Sequence, residues 1–394
     1  TPAVIGGAIL VALVPPLILG FPFTVWFYRS LVLLVIACPC ALVISTPVSI
    51  VSGLSAAAQH GILIKGGAYL EEIGSLKAIA FDKTGTITKG IPRLTDVISL
   101  NEQPEAKILG LAAAIENRSE HPLGRAIIDE AARRKVSYVN STDFQSLPGK
   151  GAKARFEGQV FYIGNHRLCE ELGNCSLEID ARLLDLEREG KTTIILASED
   201  QAMGIIAIAD ELRQESAPSI QRLKAEGIGK IVMITGDNKG TAGAIARSLG
   251  IDEYHAELMP EDKVAIIKDL RERFVKVAMV GDGVNDAPSM AVSSMGIAMG
   301  TIGTDTALET ADVALMKDDL SKLPFALKLS KRTLRIIKQN IAFSLLLKGA
   351  FIALAIPGLA TLWMAVGADM GASLLVIFNG LRLLAIGEKG EKNG

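Results

Sequence analysis

The sequence predicts a multidomain membrane protein: α-helical transmembrane hairpins at both ends and, between them, a parallel α/β domain that carries an inserted α+β domain. Three observations predict it. Apolar runs of membrane-spanning length stand in pairs at the two ends of the 394 residues. Between them, short runs apolar on both faces end in polar, acid-bearing loops, as strands of a helix-covered parallel sheet do. Within that region, residues 92–209 change texture to helices followed by short alternating strands. The chain is 49% hydrophobic with a formal net charge of −2, so nothing in its charge suits nucleic acid.

In order, residues 4–23 form a first span, kinked by Pro15-Pro16 and Gly20. No basic region precedes it, so it reads as a span rather than a signal peptide. Residues 24–30, with Trp26, Phe27 and Tyr28, are expected as an interfacial link. A second span covers residues 31–54. Two more are expected at 341–356 and 362–384, joined by a turn at Pro357-Gly358. Lys65 and Lys77 follow the first pair, Lys328 to Lys338 precede the second, and the links inside the pairs hold only Arg29. The positive-inside rule then puts the soluble insert and both termini in the cytoplasm of an integral membrane protein.

The expected boundaries are a hairpin at 1–57, a phosphorylation domain at 58–91 and 210–326, an inserted domain at 92–209, a second hairpin at 327–386 and a tail at 387–394. Strands are expected at 78–81, 231–234 and 277–280, with helical periodicity to Leu249 after the second. In the insert, helices near 104–117 and 121–135 precede strands at 152–156, 160–163, 192–197 and 204–208.

Asp82-Lys83-Thr84-Gly85-Thr86 follows the first of these strands. Asp82 therefore stands at a strand's carboxyl end, where open α/β sheets place reactive groups. A carboxylate in a turn rich in N–H and hydroxyl donors is arranged to attack a phosphoryl group. Thr235-Gly236-Asp237-Asn238 and Gly281-Asp282-Gly283-Val284-Asn285-Asp286 end the other two strands, so Asp82, Asp282 and Asp286 can gather at one Mg²⁺ with a substrate phosphate. Thr235 and Asn285 can donate to the transferring group, and Lys263 can add positive charge. By spacing alone Lys263 also reads as a solvated lysine.

Cys38-Pro39-Cys40 lies inside the second span. On an ideal helix the two thiols point about 200° apart. Pro39 removes the N–H partner of the Val35 carbonyl, and a locally unwound helix can turn both sulfurs to one cavity. Thiolates select soft or borderline cations; the alternative is a kink with two small apolar fillers. Lys348 and Asp369 are charges within apolar runs, and intramembrane charges are costly enough to suggest function. A carboxylate beside two thiols suits a divalent ion better than Cu(I). Cys169 and Cys175, as a C-x5-C pair, read as structural or surface thiols in a reducing compartment, with no disulfide framework. His60, His166 and His255 show no evident partners.

The three acid-bearing motifs, in this order, resemble the signature set of P-type ATPases of the haloacid dehalogenase-like superfamily. The resemblance implies a Rossmann-like phosphorylation domain, in which ATP phosphorylates Asp82 within the Asp82, Lys83, Thr84 motif. It implies that Thr235 and Lys263 contact the phosphate, places Gly236, Asp237 and Asn285 with them in the catalytic set, and implies Mg²⁺ at Asp82, Asp282 and Asp286. Ser119-Glu120-His121-Pro122-Leu123 with Glu116, and Gly149-Lys150-Gly151, resemble the nucleotide-binding signature of the heavy-metal branch. There is no Gly-x-x-x-x-Gly-Lys-Ser/Thr loop to hold ATP otherwise. Asp210 in Asp210-Glu211-Leu212-Arg213 resembles the hinge back to the phosphorylation domain and joins the expected cofactor-binding set. Cys-Pro-Cys with Lys348 and Asp369 resembles the zinc, cadmium and lead exporters, implying a transported-ion site of Cys38, Cys40, Asp369 and Lys348. A copper exporter is the nearest alternative, and a membrane-anchored phosphatase of the same superfamily the next. No Thr-Gly-Glu occurs, so the resemblance is to a carboxyl-terminal portion. The expected partners are the bilayer, ATP, a soft divalent ion and an amino-terminal portion carrying the actuator domain.

Overall fold

The computed structural model describes residues 2–119, 122–139, 141–282, 286–300, 309 and 311–386. The chain divides into two compact units, Thr1–Ser75 with Pro324–Gly394, and Leu76–Leu323.

In the unit Leu76–Leu323, one sheet runs in the order Val313–Met316, Met295–Gly300, Val277–Gly281, Ala78–Asp82, Lys230–Ile234, Glu253–His255. Every pair in it is parallel. Ala78–Asp82 is central and buried along its whole length, as its unbroken apolar run requires. Asp82 stands opposite Ile234, and Phe81 opposite Val280, so the loops after all three strands leave from one edge. Helix Pro260–Phe274 packs on this sheet through Ile267 and Leu270, wholly buried against Ala78, Val232 and Val277. Burying side chains of that size contributes about 1.5–3 kcal/mol each.

The same unit holds a six-stranded antiparallel sheet ordered Thr88–Ser99, Ala202–Leu212, Thr192–Ser198, Gln159–Gly164, Gly151–Phe156, Thr142–Leu147. Its strands alternate with period two. Ile194, Leu196, Ile206 and Ile208 face a core built with helices Glu105–Glu116 and Pro122–Arg133. Ile195, Ile205 and Ala207 face the other side, where Leu177–Arg188 packs through Ile179, Leu183 and Leu186. Thr88–Ser99 is a strand the sequence reading did not place, and Ala202–Leu212 runs longer than the expected 204–208, because the two pair as far as Thr88 and Leu212 beside the Asp82 loop.

In the other unit, three stretches are long and apolar enough to cross a membrane: Phe23–Gln59, Lys322–Ala355 and Leu362–Ile386; the apolar helix Val4–Leu19 is shorter. The expected link at 24–30 is corrected. Helix Phe23–Ala37 begins right after a turn made by Gly20, at φ +68°, and Pro22. The aromatic residues stabilise it, with Phe23 and Phe27 one turn apart and stacked at 5.6 Å. The helix expected at 341–356 instead begins at Lys322, because Leu323, Leu327, Ser330 and Leu334 keep an inward face through the basic stretch. The turn at Pro357-Gly358 forms as expected. Arg29 donates to the carbonyls of Ile356 and Pro357 at 3.2 and 3.3 Å, and a Cβ on Gly358 would come within 2.5 Å of that guanidinium. The tail at 387–394 lies outside the described residues.

Candidate active site and intramembrane ion site

Asp82 ends its strand and is almost wholly buried. The loop behind it is tight because Gly85 takes φ +73° and Gly90 packs onto it, where a Cβ would lie 3.1 Å from the Gly85 Cα. Lys263, near the start of helix Pro260–Phe274, donates to Asp82 at 2.6 Å and to Asp286 at 2.9 Å. Its side chain is 14% exposed, so the solvated-surface reading is corrected: two buried carboxylates face it. Lys83 reaches Asp237 at 2.5 Å. Thr235 is buried, and its hydroxyl accepts from the Asp237 N–H at 3.1 Å. Thr84 sits in the turn, and Gly236 lies under the Leu258 carbonyl. Asn285 lies outside the described residues.

Burial and the neighbouring Asp286 raise the Asp82 carboxyl to about 7, against the opposing pull of Lys263. Burial likewise raises Asp286, again with Lys263 opposing. Lys263 would be lowered by its own burial, but the two carboxylates hold its proton more tightly than usual. Two crowded carboxylates thus share one ammonium, and each holds its proton more readily than a free carboxyl. Asp286 Oδ2 is buried with no hydrogen-bond partner among the described residues, and a Cβ on Gly281 would lie 2.5 Å from it, so Gly281 keeps room for that carboxylate. An oxygen-rich cluster short of positive charge, with an unused oxygen, fits a hard divalent cation.

The antiparallel sheet carries a cavity of about 370 Å³ lined by Glu116, Ser119, Gly149, Gly151, Asn165 and Thr193, among others. That volume lies in the range of small-ligand sites. Glu116 folds against Gly124, where a Cβ would meet its carboxylate at 2.3 Å. Gly149 turns with φ +72° and nothing lies within 4 Å of its missing side chain, so backbone approach by a ligand is open there. Gly151 has a different reason: a Cβ would lie 2.0 Å from the Ile163 carbonyl, so the strand pairing itself demands glycine. His121 lies outside the described residues. Asp210 does not line this cavity. It accepts from Thr88 Oγ1 at 2.5 Å and from the Ile91 N–H at 3.1 Å, because it sits where the two long strands cross.

In the membrane unit the helix breaks at Cys38-Pro39, with Cys38 extended, and restarts at Cys40. The break brings the two sulfurs to 2.7 Å. The Val35 carbonyl keeps a partner, the Cys38 N–H at 3.3 Å; the carbonyls that serve Lys348 are those of Ile36, at 2.9 Å, and Cys38. Lys348 also meets Asp369 at 3.4 Å, and Asp369 lies beside the Cys40 thiol. A cavity of about 20 Å³ between Ile36, Ala41, Ser344, Lys348 and Asp369 has room for one water or one ion. The buried Ser344 hydroxyl, which the sequence did not single out, lines it and makes no hydrogen bond.

A haloacid dehalogenase-like hydrolase family matches residues 76–293, more than half of the chain. The chain belongs to the haloacid dehalogenase-like family. Its homologues include cadmium- and zinc-transporting P-type ATPases. It is 52% identical over 393 residues to a probable cadmium-transporting ATPase of Alkalihalophilus pseudofirmus, with 98% of this chain and 54% of the relative aligned. It is 44% identical to a zinc/cadmium/lead-transporting P-type ATPase of Escherichia coli, across 98% of this chain and 51% of the relative. A zinc-transporting PIB-type ATPase crystallised in an E2.Pi state superposes with a TM-score of 0.82 at 45% identity, covering 97% of this chain and 62% of that one. The chain spans about half the length of the curated relatives it matches.

Within the haloacid dehalogenase-like unit the structure adds ties that sequence reasoning missed, two of them from Arg213 of the expected hinge. Arg213 donates to the carbonyls of Gly85 and Thr88, each at 3.0 Å, and Ser216 to that of Ile87 at 2.7 Å. These ties span more than 120 residues, and no local pattern announces them. Cys169 and Cys175 form a disulfide, against the expectation of none, because the turn between two helices sets their Cα atoms 5.5 Å apart. The histidines also have partners: His60 reaches the Ala56 carbonyl, His166 reaches Asp180 at 2.8 Å, and His255 reaches Glu253 at 3.0 Å.

Proposed function

We propose that the chain is the phosphorylating and ion-binding part of an ATP-driven exporter of divalent soft ions, Zn(II), Cd(II) or Pb(II), in a cell membrane. The observation that carries this reading is Lys263 bonded to both Asp82 and Asp286 at the carboxyl edge of the parallel sheet. An ionised Asp82 oxygen bonds the γ-phosphorus of ATP as the bond from that phosphorus to the ADP oxygen breaks, and ADP leaves with the electron pair. Lys263 offsets the charge gathered there. Asp237 holds Lys83 beside the loop, and Thr235 and Asn285 act as donors to the phosphoryl oxygens. Asp82, Asp282 and Asp286 would hold Mg²⁺, which supplies charge neutralisation between the carboxylate and the phosphates.

We assign nucleotide binding to residues 92–209, with Glu116, His121, Gly149 and Gly151 around the adenosine part, and Asp210 as a joint of the loop rather than a nucleotide contact. The cargo lies among Cys38, Cys40 and Asp369. Two thiols favour a soft ion, and the added carboxylate favours a divalent one. Lys348 takes the place of the ion's charge once the ion has gone. The insert lies on the cytoplasmic side, where ATP is.

The test is to incubate the purified chain with γ-labelled ATP and Mg²⁺, with Zn(II), Cd(II), Cu(I) or chelator. Hydroxylamine-sensitive label with Zn(II) or Cd(II), absent in Asp82→Asn, is expected. Ion-independent hydrolysis of small phosphoesters without ATP would instead make the chain a phosphatase, and label with Cu(I) alone would overturn the choice of cargo.

A further inference from the structure

Among the described residues, the nucleotide cavity and the intramembrane cluster leave one group of metal-ligating side chains unused. We propose that His166, Cys169, Cys175 and Asp180 form a second site for a divalent soft ion, Zn(II) or Cd(II), on the antiparallel sheet's outer face, when the two cysteines are reduced.

The geometry comes from three short elements. His166 opens helix His166–Glu171, and Cys169, three residues on, shares its face. Cys175 lies in the following turn, and Asp180 in the first turn of helix Leu177–Arg188. A ring nitrogen of His166, the Cys175 sulfur and a carboxylate oxygen of Asp180 all lie within 4.8 Å of one another. Cys169 is already at bonding distance from Cys175. Opening the S–S bond therefore frees the Cys175 sulfur beside His166 and Asp180, with the Cys169 sulfur next to it as a fourth donor that a side-chain rotation would bring in. Tetrahedral zinc holds such donors at about 2.0–2.3 Å, which spaces neighbouring sulfurs about 3.8 Å apart. Asp180 and His166 already hydrogen-bond at 2.8 Å, so both are directed at the same place.

Chemistry selects the ion. Two thiolates, an imidazole and one carboxylate suit Zn(II) or Cd(II) and not Mg²⁺. Binding releases two protons, one from each thiol, as two metal–sulfur bonds form. Cys169 is buried while His166 and Asp180 are partly exposed, so an ion can arrive from solvent without the fold opening. The site also adjoins the ligand cavity. Asn165, which caps the His166 helix, donates to the Gly149 carbonyl at 2.9 Å.

The test uses the full chain in detergent with Cys38→Ala and Cys40→Ala, so that the intramembrane thiols contribute nothing. A phosphine opens the disulfide, taking the oxygen of one water while each sulfur gains a proton. Equilibrium dialysis against Cd(II) should then find one ion per chain, undisturbed by Mg²⁺, with a cadmium–thiolate ultraviolet band of two-sulfur intensity. Cys169→Ser should halve that band. His166→Ala and Asp180→Asn, at partly exposed positions the fold tolerates, should each weaken binding at least tenfold while ATP binding is retained. No bound Cd(II) in the reduced chain, or binding unchanged by Cys175→Ser and by His166→Ala, would overturn the proposal.

Discussion

Two lysines face two carboxylate sites in this molecule, and they do so differently. Lys263 gives its ammonium to Asp82 and Asp286 at 2.6 and 2.9 Å, in a loop cluster at a sheet edge. Lys348 gives its ammonium chiefly to the Ile36 and Cys38 carbonyls, and stands 3.4 Å from Asp369. The first lysine is an ion-pair partner whose loss leaves buried charge unopposed. The second fills the place opened by a broken helix, where the proposed ion would replace it. Charge sets the first site and backbone geometry the second. A buried charge stripped of its partner costs several kcal/mol; a helix break leaves carbonyls that any cation can satisfy.

The largest difference should appear on removing each ammonium. Lys263→Met should lower labelling of Asp82 by about 100-fold or more, the scale for losing one preorganised charge at a transferring group. Lys348→Met should leave nucleotide binding unchanged. Equal loss of label in both variants would break the distinction.

Proton competition should mark the first site through Asp82. Asp82, raised to about 7, holds its proton in the folded chain up to neutral pH. Its contribution to stability is present below the ordinary carboxylate value and lost as pH rises through about 7. Without Mg²⁺ the thermal midpoint should fall over that window, and Mg²⁺ should restore it. Mg²⁺ affinity should in turn weaken about tenfold per pH unit below 7, since one proton must be displaced. Calorimetry across pH 5–8 measures both, and a flat profile would show that Asp82 is already ionised.

At the membrane site, Lys348→Met removes the competitor and should tighten Cd(II) binding by about tenfold, read by dialysis with Cys169 and Cys175 replaced by serine. Weaker binding would mean that Lys348 shapes the site rather than plugging it. The smallest effect should come from the loop's supports. Thr88→Val removes a hydroxyl that joins Asp210 to the Lys83 carbonyl, and should cost about 1 kcal/mol, seen as faster amide exchange at 83–91 with no change in Cd(II) binding.

Much of this contrast was legible in the chain. Ala78-Ile79-Ala80-Phe81 is apolar on both faces, so its strand and the position of Asp82 followed from burial alone. Cys38-Pro39-Cys40 announced a broken helix because proline has no N–H to give. Residues 24–30 were misread because aromatic residues suit a membrane interface as well as a helix face. The basic stretch before Asn340 hid a helix of 34 residues, Lys322–Ala355, whose buried face mixes Leu323, Leu327 and Leu329 with Ser330, Thr333 and Asn340. The Thr88–Asp210 and His166–Asp180 pairs were invisible, since the first is made only by strand pairing and the second only by the packing of two short helices. The strands Met295–Gly300 and Val313–Met316 were missed too, being short and partly built of glycine and alanine.

The most direct measurement is the Cd(II) dependence of label on Asp82, taken in the native chain and in Cys38→Ala with Cys40→Ala, at saturating ATP and Mg²⁺. The account predicts a saturable rise with Cd(II) in the native chain, loss of that rise in the cysteine variant, and unaltered ATP binding in both. Label that rises equally with Cd(II) in both chains would contradict it, because the ion that triggers phosphorylation would then not be the one held at the broken helix.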